Sequence, residues 1–226
     1  FSFYKKDCMQ IEITIPSSLK EVKLKDYQDY LTIEDPNDDD MLKCILNIDQ
    51  NELGKIKASD VDYLLDHIIK LFKNKQELIP TFKMYGVEYG FIPNLDQITY
   101  GENKDVTTYI NDWESMNKAM AVLFRPIKQK KGNKYLIEEY EGSHKYSEVM
   151  KDMPLNVVLG AMVFFYNLTN ELLKSMPNYL EKQLMKEQMH EAISQESGEA
   201  IQNYIHLLKQ TLQDLKKLQN FPFISV

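Results

Sequence analysis

The chain has 226 residues, 43% of them hydrophobic and 27% charged, which is the balance of a globular protein and not of a disordered one. Its net charge of −7 argues against a general nucleic-acid binder, which needs clustered cations to displace counterions. No apolar run reaches the roughly 18 residues of a membrane span. Phe1 to Lys6 carry no signal core, so a cytoplasmic chain with Cys8 and Cys44 reduced is expected.

Met9 to Ile15 alternates apolar and polar residues and predicts a strand with Ile11, Ile13 and Ile15 on one face, ended by Pro16. Leu24, Tyr27, Tyr30 and Leu31 recur at three- and four-residue steps, the spacing of a short amphipathic helix. Glu34 to Asp40 holds five carboxylates around Pro36 and reads as a solvated loop leading into a helix over Met41 to Ile48. Ser59 is placed to cap the next helix, whose apolar face is Val61, Leu64, Leu65, Ile68, Ile69 and Phe72. Thr81 to Ile92 then predicts a tight β-hairpin turning at Gly86, closed by Pro93-Asn94.

Asp105 to Trp113 and Met116 to Leu123 read as helices, the second stopped by Pro126. A second hairpin is expected around Ile127 and Tyr135, bent at Gly132-Asn133. From Ser147 onward the pattern is helical. Pro154 opens a helix apolar nearly all round between Leu155 and Leu168, which belongs at the centre of the core. A more polar helix follows from Pro177 to about Ile193. The last helix runs from about Glu199 to Gln219, with Ile201, Ile205, Leu208, Leu212 and Leu215 at coiled-coil spacing. The chain closes on an apolar Phe221-Pro-Phe223-Ile-Ser-Val226. The expected fold is α+β and mostly helical. Small antiparallel β-hairpins lie against a helical core over 1–170, and 171–226 forms a helical hairpin with a short apolar tail.

Candidate chemistry is sparse. Asp49 to Asp60 lies between two helices and approximates a twelve-residue calcium loop, with Asp49, Asn51, Gly54, Ile56 and Asp60 at the usual positions. Leu53 supplies no ligand at the fifth position, and Asp60 is shorter than the customary Glu. An Asn/Gly turn before a capped helix accounts for the same residues. His67, His144, His190 and His206 lack zinc spacing. No cysteine or serine sits in a nucleophile signature, and the scattered glycines form no phosphate loop. Glu138 and Glu139 point to opposite sides of a strand and cannot share a proton. No catalytic residue, cofactor or metal is therefore expected. Arg125, Lys128, Lys130, Lys131 and Lys134 form a basic turn with no acid between them, suited to an acidic partner, to a nucleic-acid backbone or to simple solvation as a hairpin tip.

Arg125 is the only arginine; every other member of the Lys+Arg set is lysine. With plentiful Asn, Ile and Tyr, this reads as the product of an AT-rich genome. One guanidinium equips the chain poorly for phosphate-dense partners. Arg125 is expected instead in a fixed ion pair or carbonyl contact at a fold junction.

Three segments carry a resemblance. They are Gly86-Val-Glu-Tyr-Gly-Phe-Ile-Pro-Asn-Leu-Asp-Gln-Ile-Thr-Tyr-Gly-Glu102, Asn117-Lys-Ala-Met-Ala-Val-Leu-Phe-Arg-Pro-Ile127 and Met153-Pro-Leu-Asn-Val-Val-Leu-Gly-Ala-Met-Val-Phe-Phe-Tyr-Asn-Leu168. Together they resemble a poorly characterised family from the structural-gene clusters of tailed bacteriophages, including crAss-like phages of Bacteroidales. Leu24 to Leu31 is similar to the opening of phage tail-assembly proteins. The resemblance covers about 85–170 and brings no catalytic residues. It implies a non-enzymatic virion structural or assembly protein of the tail, connector or portal-proximal region, assembled in the bacterial host cytoplasm as a homo-oligomer or ring component. Its partners would be other phage structural proteins, with no membrane and no specific nucleic acid. A tail-assembly chaperone absent from the mature particle is the alternative; a calcium-responsive binding protein and an unrecognised enzyme stand further off. The expected partner-binding residues are Ile201, Ile205, Leu208, Leu212, Leu215, Phe221, Phe223 and Arg125.

Overall fold

The computed structural model describes residues 13–168 and 170. The expected C-terminal helices, the apolar tail, Cys8, and most of the predicted first strand lie outside the described residues. Of that strand, Ile13 to Pro16 has no ladder partner, and Ile15 is exposed while Ile13 packs on the core. The shared apolar face is thus not formed over these residues.

Helix α1 (Leu24–Leu31) buries Leu24, Tyr27 and Tyr30, as its spacing predicts. Helix α2 (Asp38–Leu46) begins earlier than expected. Asn37 accepts a hydrogen bond from the Asp40 amide at 3.1 Å, and Asp40 accepts one from the Asn37 amide at 3.2 Å. Glu34 to Asn37 is the exposed loop expected, whereas Asp38 to Asp40 form the first helical turn, where the helix dipole favours negative charge. A short helix, α3 (Gln50–Leu53), leads to α4 (Ala58–Lys73), which buries Leu64, Ile68, Leu71 and Phe72. Ser59 lies inside the first turn of α4 and not at its cap. Lys57 is the flanking extended residue and makes no side-chain capping bond, so the cap position of α4 falls two residues before Ser59.

Strands β1 (Thr81–Met84) and β2 (Val87–Phe91) form the expected hairpin. Its two bend residues, Tyr85 and Gly86, have φ of 51° and 78°, the mirror-image geometry that matches strand twist. Helix α5 (Tyr100–Tyr109) precedes the span expected for it. The Thr99-x-x-Glu102 capping box starts it at Tyr100, and Trp113 falls in a separate 3₁₀ turn. Helix α6 (Met116–Leu123) runs directly into β3 (Phe124–Lys131). Pro126 acts one residue upstream, biasing Arg125 away from helical backbone, while itself pairing with Tyr89 inside the strand. Strand β4 (Lys134–Ile137) closes the second hairpin across Gly132-Asn133. Helix α7 (His144–Met150) starts three residues before the expected Ser147. Helix α8 spans 155–168.

The fold is α+β and mostly helical. The two hairpins do not stand apart: β2 pairs β3 antiparallel, giving one four-stranded sheet in the order β1-β2-β3-β4. Its inner face presents Phe82, Tyr89, Phe91 and Phe124. Phe91 meets Phe124 at 5.2 Å and Phe164 of α8 at 5.6 Å between ring centroids, both edge-on. Leu155, Val158, Leu159 and Ala161 of α8 are almost fully buried, as expected of a central helix. Gly160 is required there: a Cβ would lie 2.2 Å from the Glu77 carbonyl oxygen, so the chain before β1 crosses the helix at backbone contact.

Polar ties fasten the start of α1 to the turn between α7 and α8. The Leu24 amide donates to the Met153 carbonyl and the Leu155 amide to the Val22 carbonyl, each at 2.9 Å. Above them Asp152 accepts from the Tyr85 hydroxyl at 2.6 Å and pairs with Lys23 at 3.0 Å. A second tie is buried: Gln28 donates to the Trp113 carbonyl at 2.7 Å, and Asn117 donates to the Ser147 carbonyl at 3.0 Å. These satisfied amides link α1, α6 and α7 inside the core.

Asp152 supplies a pH test. The Tyr85 hydrogen bond, helped by Lys23, outweighs partial burial and holds its carboxyl down at about 2, from an ordinary 3.8. A depressed acid stabilises fully above its unfolded pKa and loses that contribution as pH falls through the folded value. Urea unfolding midpoints between about pH 5 and about pH 2 should therefore fall less steeply for Asp152→Asn than for the native chain. Identical acid limbs would show that the Asp152 contacts contribute nothing.

Candidate interaction surface

The β3–β4 hairpin is an arm built on a buried ion pair. At its root Arg125 is only 6% exposed, between Phe124 and Pro126. Its Nη2 donates to Glu102 Oε1 at 2.5 Å, and Glu102 is itself 4% exposed. The Tyr140 ring lies 5.5 Å from the guanidinium carbon. Tyr140 in turn donates its hydroxyl to Asp105, and burial together with that carboxylate pushes the phenol pKa upward. Glu102 also accepts from the Thr99 amide at 2.7 Å and the Thr99 hydroxyl at 2.6 Å. Burial alone would raise the Glu102 pKa. The Thr99 donors and Arg125 outweigh burial and hold it below the ordinary range. The cap that starts α5 and the salt bridge that anchors β3 are thus one structure.

Further out, Gly90 of β2 lies opposite Arg125, and its missing Cβ makes room for the Tyr135 ring. A side chain there would meet Tyr135 at 2.5 Å. Tyr135 donates its hydroxyl to the Phe91 carbonyl at 2.8 Å, pinning β4 across the sheet. The β3–β4 register shifts between Ile127 and Gln129, so Lys128 is an extra, bulged residue that adds local twist. Beyond the bulge every residue from Lys128 to Lys134 is exposed. Lys130 pairs with Glu88, whereas Lys131 and Lys134 at the tip have no acidic partner among the described residues. An open groove of about 1000 Å³ lies between this tip and the Pro93-Asn94 turn. Leu136, 60% exposed, adds apolar surface to it.

Of the expected partner-binding residues, Ile201, Ile205, Leu208, Leu212, Leu215, Phe221 and Phe223 lie outside the described residues. Arg125 makes the fixed ion pair expected of it, at the junction of α6 and β3, and its burial leaves the exposed surface of the arm to the lysines. Its partner Glu102 is not among the residues expected at a site. The Thr99-x-x-Glu102 signature is present in the sequence, but it lies upstream of Asp105, where the helix is expected to begin.

The calcium arrangement is replaced by a capped helix. Asp49 accepts from the Glu52 amide at 2.7 Å, Glu52 accepts from the Asp49 amide at 2.8 Å, and Leu53 is buried. His67 donates Nε2–H to the Pro16 carbonyl at 2.8 Å, tying α4 to the incoming chain. Among the described residues no three His, Cys, Asp or Glu side chains converge as metal ligands. Also among them, no helix is long and apolar enough to cross a membrane. Comparisons with protein-family models, curated proteins and solved structures returned no match.

Removing one partner of a buried pair leaves an uncompensated charge, at a typical cost of about 3–5 kcal/mol. Glu102→Leu should show a loss of that order in chemical denaturation. Arg125→Met combined with Glu102→Leu should recover most of it, because both charges are then gone. A double variant as unstable as the sum of the singles would contradict the pairing.

Proposed function

We propose that this chain is a non-enzymatic structural or assembly protein of a tailed bacteriophage, acting through protein–protein contacts in the tail, connector or portal-proximal region. The observation that carries the reading is where the three resembling segments sit. The first contributes Phe91 and Glu102, the second Phe124 and Arg125, and the third Phe164 and Phe165. Phe91 packs on Phe124 and Phe164, and Glu102 pairs with Arg125. The resemblance thus falls on one packed unit and not on scattered surface stretches.

The use of buried polar groups agrees with this reading. Gln28, Asn117 and Glu102 each hydrogen-bond to a group of another element. Such groups secure a scaffold. The surface feature that the scaffold presents is a rigidly rooted basic arm, which suits contact with other proteins. Partners in this reading are other phage structural proteins, and the location is the virion, after assembly in the host cytoplasm.

Mass spectrometry of gradient-banded virions tests the reading. A fixed copy number on the order of 6–24 per particle is expected for a ring component. Abundance in infected-cell lysate with absence from the particle would replace it with a tail-assembly chaperone. Absence from both would remove the phage assignment.

A further inference from the structure

The β3–β4 arm and the start of α2 carry opposite, unspent charge. Lys131 and Lys134 flank the arm's bend and are exposed. Glu34, Asp35, Asp38 and Asp39 are exposed as well, while Asp40 is already engaged by Lys43 at 2.7 Å and by the Asn37 cap. The last two free carboxylates are held in a capped helical turn, so their spacing is fixed and not that of a loop. No ion pair joins the two regions within one copy among the described residues.

We propose that the arm docks on the 34–40 stretch of a second copy of this chain, joining copies head to tail. The proposal rests on the structural-protein reading above and names its partner. Three considerations select this occupant. A net charge of −7 makes copies repel one another generally, so attraction is confined to places where a basic patch meets an acidic one. The arm carries Arg125 and four lysines with no intervening acid, and 34–40 is the densest acidic stretch. The exposed Leu136 beside the lysines adds apolar contact that a purely solvated tip would not present. Nucleic acid is the less suitable occupant, because the one guanidinium is buried at the arm's root and the overall charge opposes a phosphate backbone. Two different patches on each copy make the contact heterologous. Repetition then generates a ring if the rotation closes and a filament if it does not.

Sedimentation velocity on the full chain tests this at about 50 mM and about 500 mM NaCl. The expected result is association at low salt that weakens at high salt. Lys131→Glu with Lys134→Glu should raise the dissociation constant at least about tenfold, and so should Asp38→Lys with Asp39→Lys. Mixing these two variants should restore association, because their reversed patches complement each other. That recovery also excludes misfolding as the cause of either loss. A native chain that stays monomeric at low salt would overturn the proposal, as would association indifferent to both reversals. Salt-sensitive binding of duplex DNA by the arm, without self-association, would overturn it in favour of nucleic acid. Virion mass spectrometry separates the two levels: a monomer found in virions sinks the docking and leaves the structural role. Charge-swap rescue by a chain absent from virions and lysates does the reverse.

Discussion

The buried pair between Arg125 and Glu102 sets what the sheet can be. It forms where the chain changes from α6 to β3, a point at which helix could otherwise continue. Pro126 disfavours that continuation, and the guanidinium then needs a partner because it has left water. Glu102 meets the need only because Thr99 has already oriented its carboxylate through two hydrogen bonds. Desolvating two charges gains little net stability on its own. The pair ties β3 to α5 through Nη2 alone, with Arg125 Nε and Nη1 buried without a hydrogen-bond partner among the described residues, and β3 is the strand that converts two hairpins into one sheet.

From that root the architecture separates into a fixed body and a projecting arm. The inner face of the sheet interlocks with α8 through aromatic rings, and α8 is pressed against backbone at Gly160. Tyr135 over Gly90 carries the fixed body outward by a further strand. From the Lys128 bulge to Lys134 the residues are lysine, glutamine, glycine and asparagine, all exposed. Charge follows the same division. Acidic groups are distributed over the helical body, including the first turn of α2, whereas every charged side chain of 124–137 is basic. A body and arm of opposite sign is the electrostatic basis for ordered self-contact in a chain whose total charge favours dispersal.

Much of this was legible in the sequence where a local rule governs. The stripe Leu64, Ile68 and Phe72 declared α4, Gly86 and Gly132 declared both bends, and the nearly all-apolar stretch after Pro154 declared the central helix. The errors fell where two local rules compete. Asp38 to Asp40 reads as solvated charge until Asn37 is recognised as a cap, after which the same acids favour a helix start. Gly101 obscured the first turn of α5, although Thr99 and Glu102 carried its signature. Contacts across the chain left no periodic trace. The β2–β3 pairing and the Arg125–Glu102 bridge join residues more than twenty positions apart, and a lone arginine hinted at such a bridge without naming its partner. The expected contact stripe on the last helix lies outside the described residues.

Hydrogen–deuterium exchange on the native chain and on Glu102→Gln tests most directly whether the buried pair fixes the arm. Amides of 124–137 should lose protection in the variant while those of 155–162 in α8 keep theirs, because the pair roots the arm and not the core. Unchanged protection over 124–137, or an equal loss along the whole chain, would contradict that claim.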